Sequence, residues 1–231
     1  MRRIGLLGGM SWESSALYYS AVNEGVREQL GGLHSADLVM VSVDFAEVER
    51  LQAQGEWERA GELLAAEAVR LERAGAECVV LCTNTMHKVA DRVQAAVGIP
   101  LLHLADVTAA AVRDAGVGTV ALLGTRFTMR EAFYRERLAS HGLEVLVPPA
   151  ETQAELDRII YDELVLGVVR EESRAIYREA IAHLVGSGAA GVILGCTEIE
   201  LLVRPEDAPV PTFPTTALHA AAAVRFALDE D

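Results

Sequence analysis

One lysine, three cysteines and no long apolar run bound what this 231-residue chain can be. Lys88 is the sole candidate for a pyridoxal-phosphate Schiff base, and the glycine-rich stretch near the start has no lysine to clamp a nucleoside triphosphate. Cys78, Cys82 and Cys196 are too few and too irregularly spaced for a disulfide framework, and no paired CxxC suggests a metal site. Reduced thiols are expected. No apolar run reaches the roughly 18 residues that cross a bilayer. The apolar patch in MRRIGLLGGM is stopped by glycines before the about 7–15 residues of a signal peptide, so a cytoplasmic location is expected. A formal charge of −14 repels phosphate backbones and anionic lipid, which argues against nucleic acid and membrane partners. Any anionic ligand would need local attraction from arginines or helix N-termini.

What is present is a regular alternation. Short β-branched runs such as RRIGLLGGM, SADLVMVSVDF, ECVVLCTNT, IPLLHL, GTVALLGT, EVLVP and GVILGCTE are separated by amphipathic stretches. Helices are expected over EWERAGELLAAEAVRLERAGAE, KVADRVQAAVG, ADVTAAAVRDAG, MREAFYRERLASHG, AELDRIIYDELVLG and EESRAIYREAIAHLVGSG, with a last one starting near Thr215. Strands interleaved with helices predict a parallel α/β fold with helices on both sheet faces.

The alternation also repeats itself. AGAECVVLCTNT (74–85) aligns without a gap on SGAAGVILGCTE (187–198), and IGLLGGM (4–10) resembles VALLGTR (120–126). The order and near-equal spacing predict two similar parallel-sheet α/β subdomains related by pseudo-twofold duplication. Residues 1–104 plus 209–231 would form the first and 105–208 the second. Ligands of such sheets bind beyond the carboxyl ends of the strands, so the active site is expected in the cleft between the subdomains.

The repeat discriminates among the cysteines. Thr83 falls opposite Cys196, while Cys82 falls opposite Gly195. Strand side chains alternate faces, so Cys82 and Thr83 point in opposite directions. Gly195 would let the backbone approach a ligand closely. Cys196, at a strand end just before a helix start, is expected to have its thiolate favoured by the helix dipole; Cys78 and Cys82 read as buried small hydrophobes.

LLGGMSWES, SVDF, CTNTMHK, LLGTRFTM and GCTE, in this order, resemble the aspartate/glutamate racemase family over essentially the whole chain, most closely its cofactor-independent branch. That family sets two cysteines on opposite sides of the substrate α-carbon; here Thr83 stands where the first would be. The resemblance implies no cofactor, a small acidic amino-acid substrate, a homodimer, and catalytic positions at Cys196 and Thr83. A thiol, with a reference pKa of about 8.5, can act as base or acid near neutrality, whereas a threonine hydroxyl is a far weaker acid. Unequal handling of the two enantiomers follows, and the branch carrying threonine at this position implies preference for the L-isomer.

Substrate carboxylates are expected against Gly9, Met10 and Ser11, Asn84 and Thr85, and Thr125 and Thr197, at strand tips or helix starts, where ordinary capping is the competing role. Arg50 and Arg170 match positions of carboxylate-binding basic groups in the family. Glu198 could orient the Cys196 thiol, bind the substrate ammonium or cap a helix. His87 reads as a partly exposed helix histidine, His103 as a residue near a strand tip, Trp12 and Trp57 as packing or subunit contacts. Two other functions fit the same residues: an isomerase or decarboxylase of a related acid using one cysteine, and a non-catalytic dicarboxylate binder.

Overall fold

The computed structural model describes residues 1–229, which divide into two compact units. The first comprises Met1–Leu104 with the described residues from His219 on; the second is Ala105–Leu218. Along the first run β1 (Ile4–Gly8), α1 (Trp12–Leu30), β2 (Leu38–Ser42), α2 (Phe45–Ala53), α3 (Trp57–Arg73), β3 (Cys78–Leu81), a 3-10 turn over Thr85–Val89 and α4 (Ala90–Ala95). Helix α5 (Leu104–Asp114) leads into β4 (Thr119–Gly124), α6 (Arg126–Arg130), α7 (Ala132–Ser140), β5 (Glu144–Leu146), α8 (Ala150–Asp162), α9 (Glu171–Gly186), β6 (Gly191–Gly195), α10 (Ile199–Leu202) and β7 (Thr212–Pro214). Helix α11 (Thr215–Leu228) returns the chain to the first unit.

Both sheets are parallel, in the orders β2-β1-β3 and β5-β4-β6-β7. Strands β1 and β3 are buried along their whole length because helices cover both faces. One face of the first sheet presents Leu7, Val79 and Leu81 to Leu64, Ala68 and Leu71 of α3. The other presents Ile4, Leu6, Cys78, Val80 and Cys82 to Tyr18, Val22 and Val26 of α1 and to Ala220, Ala223 and Val224 of α11. The helices bury those residues because they recur at three- and four-residue spacing. In the second unit Ala121, Leu123, Val192, Leu194 and Cys196 share one cluster with α8 and α9.

Duplication is visible in the hydrogen-bond register. Ile4 pairs with Cys78 in the first unit and Val120 with Gly191 in the second, the same positions that the sequence repeat aligns. Val79 bridges to Leu101, and its counterpart Val192 pairs with Thr212.

Several local expectations are corrected. IPLLHL is not a strand: Leu101 forms a single bridge, between the bonds Val79 N–H to Pro100 O and Leu102 N–H to Val79 O, before α5 begins. The helix expected over KVADRVQAAVG is a 3-10 turn followed by short α4. The one over MREAFYRERLASHG is cut into α6 and α7 by Glu131, whose extended backbone (φ −78°, ψ 151°) no helix admits. The return to the first unit falls after Leu218 rather than at 209, because β7 is hydrogen-bonded to β6.

Leu81 is fully buried at the end of β3. Leu81→Ala should lower unfolding free energy by about 2–5 kcal/mol, read as a drop in the urea midpoint; an unchanged midpoint would contradict this packing.

Candidate active site

In the first unit the loop after β1 is held from inside. Gly9 has φ +93°, and a Cβ there would lie 2.2 Å from the Val43 carbonyl oxygen, so only glycine fits. Its N–H donates to Ser15 Oγ at 2.7 Å, and the Ser15 hydroxyl donates to the Ser11 carbonyl at 2.9 Å. Ser11 caps α1, accepting the Ser14 N–H at 3.2 Å, and the Ser14 hydroxyl donates to the Cys82 carbonyl at 3.3 Å. The amide of Gly9 and the hydroxyl oxygen of Ser11 therefore both take part in fixing the loop. Met10, Asn84 and Thr85 are buried, and Thr83 is half-buried just past the end of β3.

His87 is buried rather than the partly exposed helix histidine expected. It is 4% exposed, with Nδ1 2.7 Å from the Thr83 carbonyl oxygen and Nε2 3.1 Å from the Leu104 amide nitrogen. His103 meets it edge-on, with ring centroids 4.7 Å apart. Lys88 lies over the Trp57 ring at 3.8 Å, a cation–π contact that occupies the single lysine.

The second unit ends its central strands in the pair Gly124 and Gly195. A Cβ on Gly195 would sit 2.9 Å from the Leu123 carbonyl oxygen, so strand packing by itself demands this glycine. Thr125 caps α6, its Oγ1 accepting the Thr128 N–H at 3.4 Å. Beyond Gly195, the Cys196 and Thr197 carbonyls accept from Ile199 and Glu200 N–H at 3.2 Å each, winding the chain into α10.

The three thiols separate clearly. Burial pushes Cys78 up to about 12, and pushes the Cys82 thiol, which donates to the Val80 carbonyl at 3.5 Å, further above its ordinary value. Both are core residues. Cys196 Sγ donates instead to Glu198 Oε2 at 3.0 Å. Burial first, then the Glu198 charge and its acceptance of the thiol proton, raise Cys196 well above the usual thiol range; the Glu198 backbone N–H offsets this in part. The resting group is a protonated thiol beside a carboxylate, not the dipole-stabilised thiolate expected, since α10 spans only four residues. Glu200 next door is pushed up to about 7, mainly by burial, against hydrogen bonding from Thr216.

The arginines stand apart from these tips in their interactions. Arg50 is exposed in the last turn of α2 and donates to Gln54 Oε1 at 3.1 Å. Arg170 is exposed at the N-cap of α9, 3.9 Å from Glu163, a buried carboxylate that also accepts from Ser173 and Arg158. A groove of about 370 Å³ in the second unit is lined by Glu151, Glu155, Glu179 and His183; its charge is wrong for a dicarboxylate. Among the described residues no group of three or more His, Cys, Asp or Glu is arranged to hold a metal ion, and no helix is long and apolar enough to cross a membrane.

Two parallel α/β units of matching register, one with a threonine just past its third strand and the other with a thiol–carboxylate pair there, define a duplicated fold with matched polar tips. The chain belongs to the Asp/Glu/hydantoin racemase family, which matches residues 7–223, and it is an amino-acid racemase. It is 53% identical to a Yersinia pestis protein of known crystal structure, provisionally described as an Asp/Glu racemase, with a TM-score of 0.94 over 99% of this chain and 100% of that one. An aspartate racemase homologue from Pyrococcus horikoshii OT3 is 36% identical, with a TM-score of 0.88 over 99% and 100% of the two chains. The broad specificity amino-acid racemase RacX of Bacillus subtilis (strain 168) is 24% identical over 161 residues, covering 68% of this chain and 67% of its own.

Two measurements test the electrostatics. Glu198→Gln removes the charge that holds the proton on Cys196, so alkylation of Cys196 at neutral pH should become about tenfold faster or more; an unchanged rate would refute the coupling. Glu200 binds its proton more tightly when folded, so its contribution to stability is full below about 4.5 and is lost as pH rises through about 7. Glu200→Gln, which stays neutral and keeps an acceptor for Thr216, should gain on wild type between about pH 5 and pH 8, by up to about 3 kcal/mol. A difference independent of pH would count against the raised value.

Proposed function

We propose that the chain racemises acidic amino acids, aspartate or glutamate or both, without a cofactor, with Cys196 the principal acid/base and Thr83 serving the opposite face of the substrate. The observation that carries this reading is the Cys196–Glu198 pair at a position whose register equivalent in the other unit is Thr83. A racemase needs one group to take the α-proton and another to return one from the far side.

In the L-to-D direction Glu198 takes the Cys196 proton, freeing the thiolate. The thiolate removes the α-proton, and the C–H bonding pair delocalises into the substrate carboxylate. A proton then reaches the opposite face from water ordered by the Thr83 hydroxyl, leaving hydroxide that Glu198 and solvent neutralise. The thiol is regenerated by the α-proton it received. Threonine is a far weaker acid than cysteine, so the half-reaction on its face is the slow one. Because the equilibrium constant between enantiomers is fixed at one, the asymmetry lies in the kcat and KM of the two directions, and L-isomers, with the α-hydrogen toward Cys196, are the better substrates. Backbone donors around Asn84, Thr85, Thr125 and Thr197 hold the carboxylates, with Arg50 and Arg170 contributing positive charge against the net −14.

Deuterium incorporation at Cα of all four isomers of aspartate and glutamate tests the assignment. L-isomers should exchange fastest, Cys196→Ala should lose about 100-fold or more, and Thr83→Cys should raise the D-to-L direction. Absence of exchange with every isomer, or wild-type exchange in Cys196→Ala, would refute it.

A further inference from the structure

His87 and Glu200 are ionisable side chains to which the acid/base reading gives no task. Each stands four places beyond the tip residue of its unit, His87 after Thr83 and Glu200 after Cys196, and the strand register makes the two positions equivalent. Their side chains make the same kind of bond. His87 Nε2 lies 3.1 Å from the Leu104 amide nitrogen, and Glu200 Oε1 lies 2.9 Å from the Thr216 amide nitrogen. Leu104 is the first residue of α5 and Thr216 the second of α11. Each of these helices follows the segment that extends its sheet past the third strand, Leu101 bridged to Val79 and β7 paired with β6.

The polarity of each bond is determined by its partners. An amide N–H only donates and a carbonyl only accepts, so the His87 ring is neutral, with its proton on Nδ1 directed at the Thr83 carbonyl 2.7 Å away. The Glu200 oxygen accepts, and the Glu200 backbone N–H reaches back to the Thr197 carbonyl at 3.2 Å. The tips need such anchors because the ladders stop short of them. In the first unit the inter-strand bonds run out at Cys82 N–H to Leu7 O, and the Thr83 N–H turns to Leu81 two residues back. First-turn amides of a helix, in turn, lack intrahelical acceptors. In the first unit the His87 side chain answers both needs; in the second Glu200 divides them between its carboxylate, on Thr216, and its own backbone N–H, on Thr197.

We propose that His87 and Glu200 are paired positioning residues, each fastening a strand tip to the helix start behind it and so holding Thr83 and Cys196 in reacting position. The proposal rests on the acid/base roles assigned above and extends them to two residues that never touch substrate.

Racemisation needs both faces, whereas α-hydrogen exchange with retention needs only Cys196, so the two rates measured together on L-aspartate and L-glutamate in heavy water distinguish the latches. His87→Ala should lower racemisation relative to retentive exchange about tenfold or more, the scale of an ångström-size misplacement. Glu200→Ala should lower both rates together, and Glu200→Gln, which keeps the acceptor, should restore them. Backbone amide resonances supply a readout free of turnover: His87→Ala should move Thr83 and Leu104 but not Cys196, and Glu200→Ala should move Cys196 and Thr216 but not Thr83. Where His87→Ala does not fold, His87→Asn, which keeps a donor but cannot reach Leu104, is read the same way. Equal loss of both rates in the His87 variant, or unmoved tip resonances, overturns the proposal. A wild type without α-exchange removes the racemase assignment alone, and the resonance shifts then decide the latches by themselves.

Discussion

The two polar tips are placed by the parallel pairing of one central strand with the strand that carries the tip, β1 with β3 and β4 with β6. Parallel register admits no sliding by one residue, because both strand faces are buried and a slip would exchange the side chains that face one helix layer for those that face the other. Val79 and Leu81 thus lie toward α3 while Cys78, Val80 and Cys82 lie toward α1, and the polar step comes at Thr83. The same parity carries Val192, Leu194 and Cys196 into one cluster of the second unit. A thiol and a hydroxyl occupy matching stations because the two ladders run in the same register, Cys78 standing where Gly191 stands, although the second continues one pair further, to Gly124 and Gly195.

Beyond the ladders, the two tips are treated differently. Cys196 is enclosed, and a carboxylate at 3.0 Å keeps its proton in place. A buried acid paired with a base is suited to releasing and regaining a proton, which a freely ionised thiolate on a chain of charge −14 would not do better. The Thr83 carbonyl, by contrast, is held by a neutral imidazole. The asymmetry between the units is therefore chemical more than architectural, superposed on a shared register.

Much of this was legible in the chain. The 74–85 and 187–198 repeat sets Thr83, not Cys82, at the position equivalent to Cys196, and the pairing of Ile4 with Cys78 and Val120 with Gly191 agrees with that alignment residue by residue. The apolar strands and most helices were readable because period-two and three-to-four-residue patterns are local. IPLLHL failed as a strand because hydrophobicity alone does not tell a bridge from a ladder, and α6–α7 was read as one helix because nothing in MREAF announces the extended residue at Glu131. The signal that would have raised His87 and Glu200 was present, their equal distance from the two tip residues, but the identities differ and the repeat compares identities.

The amino-acid sequence by itself determined the alternation of elements, the duplication and the two tip residues, since each depends on neighbours within a few tens of positions. Only the tertiary structure decided the state of the groups found there. Whether the Gly9 amide is spent on Ser15, whether Cys196 keeps its proton, and whether a histidine is exposed or bridges two segments depend on residues brought close by folding, and the free energy of a charge or a hydrogen bond is set by those surroundings rather than by sequence position.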